Sequence, residues 1–216
     1  MKRLVYIALA MFACSSQAQD LFVQSDAELT IGSGAYLTSG TDVVNEGRID
    51  IRGNAGMLGL GNMMNYGFFI NNGYLELFRN WVNTGTFNTS QGELIFSGGA
   101  DQEFAHTYLP ISRLTVNKTG RIRMSADSIK ITDELSFTEG VLSITESSKL
   151  IVESGASVRH QAGSESYFDG SIISRGTGYR IFPVGDRGYY GTFEFLEMTG
   201  TGRSTEIEVS MAHEPG

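Results

Sequence analysis

One phrase recurs along this chain, and its spacing constrains the fold more than any other feature. Asn62-Met63-Met64-Asn65-Tyr66-Gly67-Phe68-Phe69 lies over Asn80-Trp81-Val82-Asn83-Thr84-Gly85-Thr86-Phe87 at an offset of 18 residues, with Asn on Asn twice, Gly on Gly and Phe on Phe. The match continues with one residue of slack, setting Gly73-Tyr74-Leu75-Glu76-Leu77 over Gly92-Glu93-Leu94-Ile95-Phe96. Upstream, Asn45-Glu46-Gly47-Arg48-Ile49-Asp50-Ile51 repeats the same Asn-x-Gly-x-apolar phrase. A unit this short cannot bury its apolar face alone, so a repeat at this period implies stacked units sharing one core.

Downstream the phrase weakens but the beat persists. Short alternating runs follow at Leu114-Thr115-Val116, Ile122-Arg123-Met124, Ile129-Lys130-Ile131, Leu135-Ser136-Phe137, Val141-Leu142-Ser143-Ile144 and Leu150-Ile151-Val152. Alternation at period two reads as strands with one buried face. No window sustains a helical period. With 27 Gly against 3 Pro and only 19% charged residues, the composition suits many short strands and turns.

The fold expected is therefore all-β, a parallel β-solenoid of short strands at about 18–20 residues per rung. A small antiparallel β cap, or the start of a second β domain, is expected to follow it. The divisions read as a signal peptide at 1–18, the solenoid at 19–175 and the cap or truncated β domain at 176–216. An antiparallel sandwich also suits strands and turns, but does not explain the same residues at the same offset. Phe69 and Phe87 occupy matching positions and are assigned to the core. The Asn-x-Gly corners are expected to use the left-handed backbone region open to Gly and, less easily, Asn. Asn side chains at equivalent corners are expected to form an amide ladder. In the tail, residues 176–191 read as a loop holding a short strand at Arg180-Ile181-Phe182. Phe193-Glu194-Phe195 and Ile207-Glu208-Val209 read as a hairpin about Thr199-Gly200-Thr201-Gly202.

Residues 1–18 have the form of an export leader. Lys2-Arg3 is a positive n-region, residues 4–13 are an apolar run, and Ser16-Gln17-Ala18 offers small residues for cleavage after Ala18. Met11-Phe12-Ala13-Cys14 loosely resembles a lipobox, which makes lipidation at Cys14 the less favoured alternative. The expected location is secreted or on the outer cell surface, and no later segment is apolar enough to span a membrane.

Charge and thiol content narrow the partners. Net charge is −8, and loss of Lys2 and Arg3 leaves 14 basic against 24 acidic residues. That sign disfavours nucleic acid. Cys14 is the only cysteine, so a processed chain has no disulfide or thiolate metal site. His106, His160 and His213 lack second ligands at metal spacing, and no metal or cofactor is expected. Gly32-Ser33-Gly34 and the run 56–61 have no following helix to make a nucleotide site, and read as solenoid turns.

The phrase 80–87, followed by Gly92-Glu93-Leu94-Ile95-Phe96-Ser97-Gly98, resembles the Asn/Gly-rich β-helix repeat regions of secreted Bacteroidetes surface proteins. Ile111-Ser112-Arg113-Leu114-Thr115-Val116-Asn117-Lys118 is similar to a step that often follows there. Tyr167-Phe168-Asp169-Gly170-Ser171-Ile172, leading to Phe182-Pro183-Val184-Gly185, is similar to a phrase that commonly closes the repeats. The resemblance covers roughly residues 40–195. It implies Sec export, often type IX secretion, adhesin-like or matrix roles, and no catalytic residues to carry over.

Candidate chemistry is sparse. Asp127, Lys130, Asp133 and Glu134, with Arg121 and Arg123, form the nearest approach to a β-helix lyase or hydrolase cluster, if stacking brings them to one face. Short rungs without long loops offer no cleft, so a solvated charged face is the plainer reading, and no catalytic site is expected. Tyr66, Phe68, Tyr74 and Trp81 form an aromatic group. Pointing outward they suit sugar stacking; pointing inward they are core. Tyr74 and Trp81 are the candidate glycan contacts, while Tyr189-Tyr190 is open to either reading. Asp127-Ser128-Ile129 fits a short O-glycosylation pattern at Ser128. The function expected is an exported structural or interaction module: a stalk, spacer or adhesin-like surface protein. Its expected partner is an extracellular glycan or another surface protein. The alternative is a carbohydrate-binding or carbohydrate-active β-helix protein acting on polysaccharide.

Overall fold

The computed structural model describes residues 19–106, 109–126, 128–145, 148–162, 164–177, 179–186, 188–195 and 205–211, with backbone alone at 4, 5, 106, 109 and 195. It is an all-β parallel solenoid of about 8 turns. Each full rung carries three short strands, on a first, second and third face. On the first face Leu21, Val43, Met63, Trp81 and Phe104 stand in line, each paired in parallel with the next. The second face runs Glu28–Ile31, Arg48–Ile51, Phe68–Asn71 and onward. The third runs Tyr36–Thr38, Gly56–Leu60, Tyr74–Leu77 and onward. At about 4.8 Å per rung the stack is roughly 35 Å long.

The register follows the sequence repeat. Met63 pairs with Trp81 and Asn65 with Asn83, the offset of 18 read from the phrase. Leu75 pairs with Leu94 and Leu77 with Phe96, which carries the one residue of slack. Alternation then fixes the inside. Ile49, Phe69 and Phe87 stack from rung to rung and are buried, as are Met57, Leu75 and Leu94.

The Asn ladder is present. Asn45 Nδ2 donates to Asn65 Oδ1 at 2.6 Å, and Asn65 Nδ2 donates to Asn83 Oδ1. The backbone carbonyl of Asn45 accepts from both Tyr66 and Gly67, and that of Asn65 from both Thr84 and Gly85. The corner glycines serve a different purpose from the one expected. Gly47, Gly67 and Gly85 do not have positive φ. A Cβ on any of them would stand 2.1–2.2 Å from a carbonyl oxygen of the rung before. Close approach of stacked backbones, not left-handed conformation, demands glycine there. A second, outer ladder precedes each first-face strand: Asp42 accepts from the Asn62 N–H, Asn62 from Asn80, and Asn80 from Glu103.

From the fifth rung the Asn-x-Gly corner disappears. Leu109–Ser125 and Ser128–Ile144 bend through the corners, with register shifts at residues 111–113 and 116–121. Such irregularities turn a strand without an open loop. The run 56–61 is also not a turn: Gly56–Leu60 is a third-face strand, with the Tyr36 ring lying over Gly56.

The tail caps the stack, but by other pairings than the sequence suggested. Arg180–Asp186 and Tyr189–Phe195 form an antiparallel hairpin whose turn holds Gly188 at φ +90°. Glu206–Val209 runs antiparallel to Ile172–Arg175 and covers the second-face edge of the last rung. Open ladder groups at that edge are a stronger demand than a local hairpin between 193–195 and 207–209. Arg175 ties the capping strand down, donating to Glu206 and Glu153 at 3.0 Å each.

Candidate functional site

Burial separates the two aromatic candidates. Trp81 has no exposed surface. It packs against Phe87 at 4.8 Å between ring centroids, with Phe69 at 6.0 Å and Phe104 at 6.2 Å. The sequence reading of Trp81 as a glycan contact is therefore corrected: it is a core residue. Its repeat partner Met63 is equally interior, and the alignment that put Phe69 and Phe87 inside carries the same message for Trp81. Tyr74 is half-buried on the outer side of the third face, between Gly56 and Glu93. Tyr66 and Phe68 lie exposed on either side of Gly67, at the corner between the first and second faces.

The charged cluster does not assemble. Arg121 and Arg123 lie on the first face, where they pair with Asp169 and Asp101. Lys130 is on the second face, 3.7 Å from Glu153. Glu134 opens the third face and pairs with Arg159. Asp133 is exposed where the strand Ser128–Ile144 bends from the second face to the third. Period-two alternation plus two corners sends neighbours in sequence to three different surfaces. Asp127 lies outside the described residues, as do His213, Cys14 and the cleavage position at Ala18. Ser128 is half-buried at the start of its strand. Among the described residues no three His, Cys, Asp or Glu side chains converge as a metal site.

The concave feature that sequence reasoning missed lies at the corner between the third and first faces of the later rungs. It is a cleft of about 600 Å³ lined in part by Thr119, Glu139, Gln161, Glu165, Tyr167 and Tyr190. The sequence signal was a change of spacing. Arg121 pairs with Val141, 20 residues on, but Val141 pairs with Tyr167, 26 residues on. Three of the six extra residues fall between His160 and Tyr167, where Gln161 and Ser164–Ser166 wall the cleft. His160 anchors it: Nε2 lies 2.9 Å from the Ser166 carbonyl, which it can meet only as an N–H donor. The Ser164 and Ser166 hydroxyls are 2.6 Å apart. The opposite wall is the 180–195 hairpin, where the Tyr190 ring stacks on Tyr167 at 6.2 Å and 6°. The Tyr167 hydroxyl accepts from the Gly188 N–H at 3.1 Å.

Lys118, the residue before Thr119, is 2% exposed, with Nζ donating to the Ala100 carbonyl. Burial holds its ammonium below the ordinary lysine range, and the Asp101 carboxylate partly offsets this. Asp101 is itself held below the ordinary carboxylate range, first by the Arg121 N–H it accepts from and then by nearby cations.

The outer side of the first face carries a second surface feature. Phe22, Val44, Met64, Val82 and Ala105 stand in register on it, a column of apolar side chains with Phe22 exposed and the others half-buried.

The chain matches no protein-family model, no curated protein and no solved structure. The class that fold and surface define is a parallel β-solenoid with a capped C-terminal end.

Proposed function

We propose that this chain is an exported structural or interaction module, a stalk, spacer or adhesin-like surface protein of the Bacteroidetes β-helix type. The observation that carries the reading is the unbroken stack itself. Backbone ladders and one continuous core run through the rungs, which makes a stiff rod whose faces present residues at a fixed repeat. Repeated weak contacts on such a surface add through effective concentration. The apolar column on the first face supports contact-making, since contiguous exposed apolar surface marks interaction sites. The dispersal of acids and bases over three faces supports a non-catalytic role. The leader at 1–18 supports export through the Sec system, with cleavage after Ala18. The partner class is an extracellular glycan or another surface protein.

The test is location and processing of the native protein in fractionated cells. We expect a chain beginning at Gln19 that proteases reach on intact cells. A chain retained inside with its leader uncleaved overturns the reading.

A further inference from the structure

We propose that the cleft at residues 119–190 is a binding site for an uncharged saccharide. This rests on the glycan partner class proposed above and deepens it, because it gives the rod one defined ligand site at its capped end. The argument starts from the lining. Its volume, about 600 Å³, is within the range of small-molecule sites. Its lining mixes carboxylate, amide and hydroxyl groups with tyrosine rings, which does not suit a lipid or a wholly apolar ligand.

The chemistry of the walls is that of a polyol site. Tyr190 is 42% exposed, and its ring is held in place by stacking on the buried ring of Tyr167. A fixed, half-exposed phenol ring offers an apolar face and a polar tip. The C–H face of a pyranose is the matching surface, and its hydroxyls are the matching rim. Gln161 supplies an amide that both donates and accepts, and Ser164 supplies a hydroxyl. Glu139 and Glu165 supply carboxylates that accept from vicinal hydroxyls. Among the described residues no Lys or Arg lines the cleft, so a uronate, sulfated or phosphorylated sugar would meet the Glu139 and Glu165 carboxylates. An uncharged sugar is the class that the two carboxylates, the amide and the tyrosine ring favour.

The walls are built before any ligand arrives. His160 and the Ser164–Ser166 pair fix the loop that carries Gln161 and Glu165, and the Tyr167 hydroxyl fixes the turn beside Tyr190. A preformed site avoids the ordering cost of binding. An open cleft with one aromatic platform gives weak single-site affinity, which many copies on one surface would convert to avidity.

The experiment is ligand-observed NMR and calorimetry on the purified protein. The probes are neutral disaccharides of glucose, galactose, mannose and N-acetylglucosamine, with oligogalacturonate as the anionic comparison. We expect saturable binding of at least one neutral disaccharide and weaker or absent binding of oligogalacturonate. Tyr190→Ala should weaken the neutral ligand by about tenfold or more, as loss of a central aromatic contact does. Gln161→Ala, on an exposed loop position, should weaken it with the thermal midpoint unchanged, and covers the case in which Tyr190→Ala disturbs the hairpin. Tyr66→Ala, an exposed aromatic on an early rung, should have no effect. Binding of none of the neutral sugars, tighter binding of oligogalacturonate, or neutral binding untouched by both cleft variants overturns the proposal. None of these results bears on surface location, so failure here and failure of the stalk reading are separately visible.

Discussion

Replacing Gly67 tests the physical reason for the repeat. Gly67 sits at the Asn-x-Gly corner of the third rung, between Gly47 below and Gly85 above. A Cβ there would stand 2.2 Å from the Gly47 carbonyl oxygen and 2.7 Å from the Glu46 carbonyl. Carbon–oxygen contact needs about 3.3 Å, so the rungs must part locally by about 1 Å. The bonds at risk are Phe68 N–H to Gly47 O, now 2.8 Å, and Gly67 N–H to Asn45 O, now 3.0 Å. Moving them by that much takes both beyond hydrogen-bonding distance. Two interior backbone groups left unpaired cost about 1–3 kcal/mol each, so Gly67→Ala should lose about 2–6 kcal/mol. Gly67→Asn carries the same Cβ and should lose as much. Gly40→Ala meets nothing within 4 Å, and should stay within about 0.5 kcal/mol of the parent. The assay is urea unfolding followed by far-UV circular dichroism, comparing midpoints and slopes because stacked rungs can unfold in parts. If Gly67→Asn is tolerated where Gly67→Ala is not, the corner needs left-handed backbone and the close-approach argument fails. If Gly67→Ala is as stable as Gly40→Ala, the corner is not tight at all.

Trp81→Ala should lose about 3–5 kcal/mol in the same unfolding assay, because it empties the centre of an aromatic core, whereas half-buried Tyr74→Ala should lose under about 1 kcal/mol; equal losses would contradict the inward placement of Trp81. Asn65→Leu removes the donor to Asn83 Oδ1 and to the Thr86 carbonyl, 3.1 Å away. It should cost about 2–4 kcal/mol and speed amide exchange at the neighbouring corners, and unchanged exchange there would refute a ladder role. Lys118 gives a pH test. Burial lowers its folded-state pKa below the ordinary 10.5, so between those values the folded chain binds fewer protons than the unfolded one. Stability therefore rises with pH across that window. Lys118→Met lacks this rise, so the stability difference should move in the parent's favour from neutrality toward 10.5. A difference that stays flat with pH refutes the burial cost.

The sequence alone determined the stack, because the solenoid's register is a local property written in the period. Offsets of 18 and 19 between matching phrases became pairings of Met63 with Trp81 and Leu75 with Leu94. The Asn ladder was legible for the same reason: equal positions on successive rungs must be neighbours. The repeat also held the inward place of Trp81, which reading the residue by type rather than by position obscured. The tertiary structure decided the rest. Whether Gly67 is needed for its φ or for its missing Cβ depends on how closely the next rung approaches, which no single rung encodes. Residues 121–134, adjacent in sequence, separate onto three faces because two corners intervene. The tail strands chose the open edge of the last rung over each other, since unpaired ladder groups are satisfied only by what lies beside them in space. The cleft arises the same way. A three-residue lengthening between His160 and Tyr167 is visible as spacing, but only the packed hairpin carrying Tyr190 turns that extra loop into a wall with something facing it.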